Sequence, residues 1–390
     1  MLLTNNEKIL PNPFGYSSTL FVYDSFVFIL AHGVNFKNEV PLEMNEEIAN
    51  IIFNGFRAAK SLGVDSEDMF GIDIYVKREK SKEIMKMIND TLVEMFSTGT
   101  ISEIPIGFFP VVNIEFVSFL PKNLNLIVFM KFCDNNNIPN DGTRHFEISN
   151  IPSMISPRDY ICSSYAVANN HVFSAPIFNC TLAKNGWVKT ENIQNSWNLL
   201  FRKSLWVGAT SNQLYHITIQ MKNIDSQWPE TQKIIESIFP KKFFPALDVF
   251  EGDEYCITPR WFFGTSEPNA SFTNKGTVQY MQSIGNINIP VKGPYSPFVK
   301  VGPWIFSSFI PCNSDISQIV QIVNSLKFKV VFIKFRVVEK EYESFLSNIQ
   351  NNMKKINQTT PPLVIVVPCK KLLLNDSIHA SLTFIEKESE

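Results

Sequence analysis

Apolar residues return along the chain in two rhythms. Ile48, Ile51, Ile52, Ala59 and Leu62 recur at helical spacing and give one apolar face. Gly63 follows, where a left-handed backbone ends a helix at little steric cost. The rhythm then shortens to two. Phe70, Ile72, Ile74 and Val76 alternate with Gly71, Asp73 and Tyr75, the pattern of a half-buried strand. A second helical stripe follows at Ile84, Met87, Ile88, Leu92 and Phe96, and then a strand pair at Phe109-Pro110 and Leu124–Phe132.

The same succession occurs again. Phe56–Lys77 lies over Phe201–Lys222 without a gap, with identical pairs at Phe56/Phe201, Arg57/Arg202, Gly63/Gly208, Ser66/Ser211, Ile72/Ile217, Ile74/Ile219 and Lys77/Lys222. The register extends back to Val27-Phe28 over Val172-Phe173 and to Ile48 over Ile193. Trp228–Ile238 is the counterpart of the second helix, and Phe244-Pro245 with Glu254–Trp261 is the closing strand pair. Many matches at one offset mark a duplicated unit.

A third, more diverged copy keeps the order. Gly293-Pro294-Tyr295-Ser296 opens a strand with Trp304–Ile310 as its partner, and Asp315–Leu326 is a helix with Asp315 near its N-cap. Phe328–Val338 is a strand. Tyr342, Phe345, Leu346, Ile349, Met353 and Ile356 form a helical stripe, and Leu363–Val367 and Ser377–Ile385 close the unit. The expected modules are 8–133, 151–263 and 293–388, separated by polar connectors at Asp134–Asn150 and Gly264–Lys292.

Composition narrows the class. With 390 residues, 45% hydrophobic positions and 34 Phe, aromatic-rich cores are expected. The net charge of -2 gives bulk nucleic acid or an anionic membrane no large field to respond to. No apolar run reaches membrane-spanning length, and Asn5, Asn6, Glu7 and Lys8 interrupt any hydrophobic leader, so a cytosolic protein is expected. The six Cys lack CxxC spacing and are read as reduced, buried thiols. The five His are dispersed, so no metal site is drawn, and no cofactor is implied. The phosphate-loop, dinucleotide, zinc-protease and nucleophile-elbow motifs are absent.

The repeated ββαβαββ order resembles the reactive-intermediate deaminase (Rid, or YjgF) family. The resemblance rests on Gly293-Pro294-Tyr295-Ser296, on Phe244-Pro245-Ala246, and on Ser163-Ser164-Tyr165-Ala166-Val167 followed by Val172-Phe173-Ser174. It implies an α+β fold of three tandem chorismate-mutase-like modules, each a mixed sheet with two helices on one face. Family members form homotrimers, sheets inward, with a ligand cleft at each interface. Three modules in one chain are therefore expected to close as a monomeric pseudo-trimer, a second chain being the alternative.

The family chemistry depends on an Arg in a Pro-Ala-Arg motif, whose guanidinium clamps the substrate carboxylate through two parallel hydrogen bonds. The matching positions here are Val112, Leu247 and Val364, none of them cationic. The family Glu on the last strand also finds no match in Leu126–Phe129, Tyr255–Thr258 or Ile378–Leu382. Tyr295, Ser296, Ser308 and Ser174 match the family's cleft wall and rim, and His32 lies near its backbone-carbonyl turn; each is more simply accounted for as a structural residue.

Three functional readings follow from the resemblance. The first is a binding or scaffold protein with a degenerate site, taking a small molecule at the inter-module clefts or a protein partner. Modules of this kind also form the C-terminal region of eukaryotic diphthine–ammonia ligases, which implies a link to diphthamide synthesis. The second is an imine or enamine deaminase of the 2-iminobutanoate/2-iminopropanoate type with a rearranged site, its cation supplied by Arg57, Arg202 or Arg336. The third is an endoribonuclease or translation inhibitor.

Overall fold

The protein is described by a computed structural model over residues 2–4, 10–23, 25–101, 104–107, 109–134, 148–149, 162–183, 186–239, 243–263, 278–285, 287–289, 291–312, 316–358 and 360–386. Asp315 and most of both connectors lie outside those residues. The fold is mixed α+β, with three large mixed sheets.

The first sheet contains β1 (Leu20–Tyr23), β2 (Phe26–His32), β3 (Met69–Lys77), β4 (Val111–Val117) and β5 (Leu126–Cys133), with α1 (Met44–Ser61) and α2 (Ser81–Phe96) inserted around β3. The second contains β6 (Tyr165–Ala168), β7 (His171–Ser174), β8 (Leu214–Met221), β9 (Ala246–Glu251) and β10 (Cys256–Phe262), with α3 (Gln194–Trp206) and α4 (Ile224–Ile238). The third contains β11 (Phe298–Val301), β12 (Trp304–Ser307), β13 (Lys329–Val338), β14 (Leu363–Cys369) and β15 (Ile378–Ile385), with α5 (Ser317–Ser325) and α6 (Tyr342–Met353).

All three share one strand order: first, second, fifth, third, fourth. The third and fourth strands run parallel in each, which requires a crossover, and α2, α4 and α6 provide it. A short strand flanks the first strand of each sheet: Leu2–Thr4, Ile148–Ser149 and Val278–Met281. The connector readings of 134–150 and 264–292 are therefore corrected at Ile148–Ser149 and Val278–Met281. The hairpin partner expected over Trp304–Ile310 also divides, with β12 and Ile310–Cys312 pairing separately with β15.

Local chemistry explains the likeness of the first two units. Gly63 and Gly208 follow α1 and α3 with φ of 85° and 71°, in the left-handed region that Gly enters freely. Each is followed by a capped turn, Asp65 with Asp68 and Thr210 with Gln213, that leads into the central strand. The central strands β3, β8 and β13 then carry a register shift against their antiparallel neighbour at corresponding points, Met69/Gly71, Leu214/His216 and Val330/Phe332.

The alternation in β3 does not mark a solvent-facing side. Asp73 keeps 16% side-chain exposure and Tyr75 only 4%. The face away from the helices meets the other sheets through aromatic rings. Phe70 and Phe173 lie 4.7 Å apart between the first and second sheets, Phe129 and Phe332 5.3 Å apart between the first and third, and Tyr215 and Phe306 4.9 Å apart between the second and third. Such pairs contribute about 0.5–1.5 kcal/mol each beyond their buried area. The many Phe are used here, at the meeting of three sheets.

Candidate functional site

Three junctions join the sheets, and one hydrogen bond recurs at all of them. Ser163 N–H donates to the Pro110 carbonyl at 3.1 Å, Ser296 N–H to Pro245 at 3.2 Å, and Ser18 N–H to Pro362 at 3.0 Å. The acceptors precede β4, β9 and β14, while the donors precede β6, β11 and β1. The first sheet is thus tied to the second, the second to the third and the third to the first. Proline directs this pattern: it has no N–H to offer a neighbouring strand, yet its carbonyl remains an acceptor.

Val112, Leu247 and Val364 follow these prolines, and all are at most 2% exposed. Leu247 packs in an apolar cluster with Tyr295 and Phe309. Its N–H donates to Ser308 Oγ at 2.8 Å, and that hydroxyl donates to the Ser296 carbonyl at 2.6 Å. Tyr295, Ser296 and Ser308 therefore do meet, at the second junction, around an aliphatic side chain rather than a cation. Tyr295 accepts from the Lys292 amide at 3.3 Å.

The other two candidates lie elsewhere. Ser174 is buried at the end of β7 and donates to the Ala175 carbonyl at 2.6 Å. His32 is buried at the end of β2, edge-on to Phe14 at 4.8 Å, and burial lowers its pKa to about 3. It stays neutral at physiological pH. Ser17 is a junction residue that sequence reasoning missed: its Oγ accepts from Val364 N–H at 2.8 Å. The signal was the Gly15-Tyr16-Ser17 stretch, a counterpart of Gly293-Pro294-Tyr295-Ser296.

Charged side chains concentrate where the inward faces meet. Arg336 on β13 donates from Nε to both Asp248 oxygens at 2.9 Å and from Nη1 to Glu115 at 2.5 Å, and it stacks 3.3 Å above the Phe250 ring centroid. Lys334 lies 3.6 Å from Glu115 and 3.7 Å from Asp248. Glu115 is on β4, Asp248 on β9 and the cations on β13, so each sheet supplies part of one cluster. Nearby, Lys131 Nζ is 2.6 Å from Asp73, which also accepts from Asn113 at 2.7 Å.

Burial sets these ionisations against one another. It would raise Asp73 and Asp248, but Lys131 and Arg260 around the first, and Arg336 and Lys334 around the second, hold both carboxyls below their usual range. Lys131 falls to about 8 because burial outweighs the attraction of Asp73. Arg336 is raised, because Asp248 and Glu115 overcome the cost of burial. A guanidinium held by two carboxylates is occupied, so Arg336 is not offered to a cleft. Arg57 lies 4.4 Å from the Phe36 ring centroid on the outer side of α1.

Above the cluster is a cavity of about 110 Å³. Its wall mixes aromatic residues, Phe26, Phe28, Phe129, Phe173, Trp304 and Phe306, with polar ones, Asp73, Lys131, His216, Asp248, Arg260 and Lys334. A larger groove of about 590 Å³ runs along the first junction between Lys82, Met85 and Lys86 of α2, Ile114 and Phe116 of β4, and Phe178, Asp253, Glu254 and Cys256 of the second unit. Ile114 and Phe116 share the face of β4 that carries Val112. The six Cys are buried and in no disulfide, and burial pushes the Cys256 thiol up, leaving it a poor nucleophile. Among the described residues, no group of three or more His, Cys, Asp or Glu is placed to hold a metal, and no helix is long and apolar enough to cross a membrane.

No family model and no curated protein matches the chain. Several solved structures are similar to it. A conserved Rid-family protein of unknown function, YyfA from Yersinia pestis, is 15% identical with a TM-score of 0.28, covering 34% of this chain and 98% of that one. The yjgF gene product of E. coli is 15% identical with a TM-score of 0.28 over the same shares. A chorismatase is 8% identical with a TM-score of 0.45, covering 82% of this chain and 93% of that one.

Proposed function

We propose that the chain is a non-catalytic binding protein, a single-chain ring of three Rid-like modules whose ancestral carboxylate clamp has been given up. The observation that carries this reading is the aliphatic side chain at each of the three clamp positions, Val112, Leu247 and Val364, all buried. A planar carboxylate in such a site would lose its hydration without gaining a partner. The cyclic Ser-to-Pro hydrogen bonds support closure within one chain, because every junction is already satisfied.

The charge pattern supports the same view. Arg336 meets Asp248 and Glu115, and the third sheet carries Ile365 and Val367 at the corresponding places, so three identical units could not form this cluster. Conserving the shape while differentiating the three faces suits a scaffold. The test is hydrolysis of 2-aminoacrylate and its imine, together with rescue of a Rid-deficient bacterium. The expected result is a rate at the uncatalysed background and no rescue. Turnover above background would establish instead an imine deaminase with a rearranged site.

A further inference from the structure

The cavity above the ion cluster is not one of the junction clefts, and its charges do not balance. Its wall and floor bring together Lys131, Arg260, Lys334 and Arg336, four cations, against Asp73, Glu115 and Asp248, three carboxylates. Asp73 is matched by Lys131, and Asp248 and Glu115 are shared by Arg336 and Lys334. Arg260 is the cation left over. It lies beside the Tyr215 hydroxyl and 5.6 Å from the Phe173 ring centroid, in none of these ion pairs. A second observation points the same way: His216 is more than nine-tenths buried, lines the cavity, and has no partner for its Nδ1 among the described residues.

A surplus cation beside His216, among Phe and Trp rings that line the same cavity, defines a ligand by its chemistry. We propose that this cavity binds a small monoanion with an apolar body, a short carboxylate whose charged end meets Arg260 and His216 and whose hydrocarbon end packs on Phe28, Phe129 and Trp304. One negative charge completes the balance; two would exceed it. A void of about 110 Å³ admits a body no larger than a small ring or a short aliphatic chain. The site exists only where three sheets meet, so the inference rests on the single-chain ring proposed above.

The experiment is calorimetric titration of the intact protein with butyrate and benzoate, each beside its uncharged isostere, butyramide and benzamide. The carboxylates are expected to bind at least tenfold more tightly than the amides. R260Q is expected to lose that preference and R260K to keep most of it. Equal binding of acid and amide, or no carboxylate binding at all, would overturn the proposal without requiring any variant to fold. Sedimentation of the same samples separates the two readings. A single-chain mass with no carboxylate binding defeats the ligand alone, whereas a mass of two or more chains defeats the closed ring.

Discussion

Arg336 and Asp248 sit 88 residues apart in sequence and on different sheets, yet the guanidinium Nε is 2.9 Å from both carboxylate oxygens. Their side chains are 1% and 3% exposed. Removing the cation would leave Asp248 and Glu115 in a poorly hydrated space with only Lys334 near them. Arg336→Met is therefore expected to cost about 3–5 kcal/mol, whereas the quadruple replacement R336M, K334M, D248L, E115L, which leaves no buried charge unpaired, should recover most of that loss. Denaturant midpoints would measure both. A cost below about 1 kcal/mol for R336M would show that the cluster does not fasten the three sheets.

The Ser308 hydroxyl joins the second sheet to the third, accepting from Leu247 N–H and donating to the Ser296 carbonyl. Ser308→Ala strands a buried amide, so a loss of about 1–3 kcal/mol is expected. Ser308→Thr keeps the oxygen and should cost less. Equilibrium unfolding of the pair separates a lost hydrogen bond from a disturbed packing.

Much of this architecture was legible in the chain, and the reasons are local. Gly63 and Gly208, the Ile72–Val76 alternation and the helical stripes each answer to a short-range rule, and helix ends, a strand and helices stand at those places, with Phe70 displaced by the irregularity between Met69 and Gly71. The central cluster was not legible. Asp73 looked like the wet side of a half-buried strand because alternation reports two faces without saying what covers the second. Lys334 and Arg336 likewise alternate with Ile333, Phe335 and Val337, an ordinary amphipathic pattern until another sheet is laid on it. Arg336 entered the sequence reading only as a spare cation, since nothing local announces partners at Glu115 and Asp248.

Gly63 and Gly208 offer a test of the shared helix ending. Both have positive φ, and a Cβ at either would meet nothing within 4 Å, so the cost of Ala is purely conformational. Gly63→Ala and Gly208→Ala are each expected to lower stability by about 1 kcal/mol, with an unchanged dependence on denaturant. Gly→Asn at either position should cost less, because Asn tolerates the left-handed region. A marked difference between the two sites would mean that the two helix ends are not under the same constraint.

Acid should weaken the fold well before its carboxylates titrate. His32, His171 and His216 are buried, and burial brings each from 6.5 to about 3, with Lys122 adding to the effect at His32 and Arg260 at His171 and His216. A folded pKa below the unfolded one means that the unfolded chain binds the extra proton. The stability each residue contributes is thus full above pH 6.5 and is lost progressively as pH falls toward 3. The slope is about 1.4 kcal/mol per pH unit for each histidine, or about 4 for the three together. Asp73 and Asp248, held below their ordinary 3.8, add their own loss only beneath that pH. Glu47, raised by burial, works in the opposite sense above its ordinary 4.5. Between pH 6 and 5 three histidines act against one carboxyl, so their loss dominates. Urea unfolding across that interval should fall by about two to three protons' worth of stability, and by about one proton less in His171→Gln or His216→Gln. A flat profile from pH 7 to 5 would place these rings in contact with water.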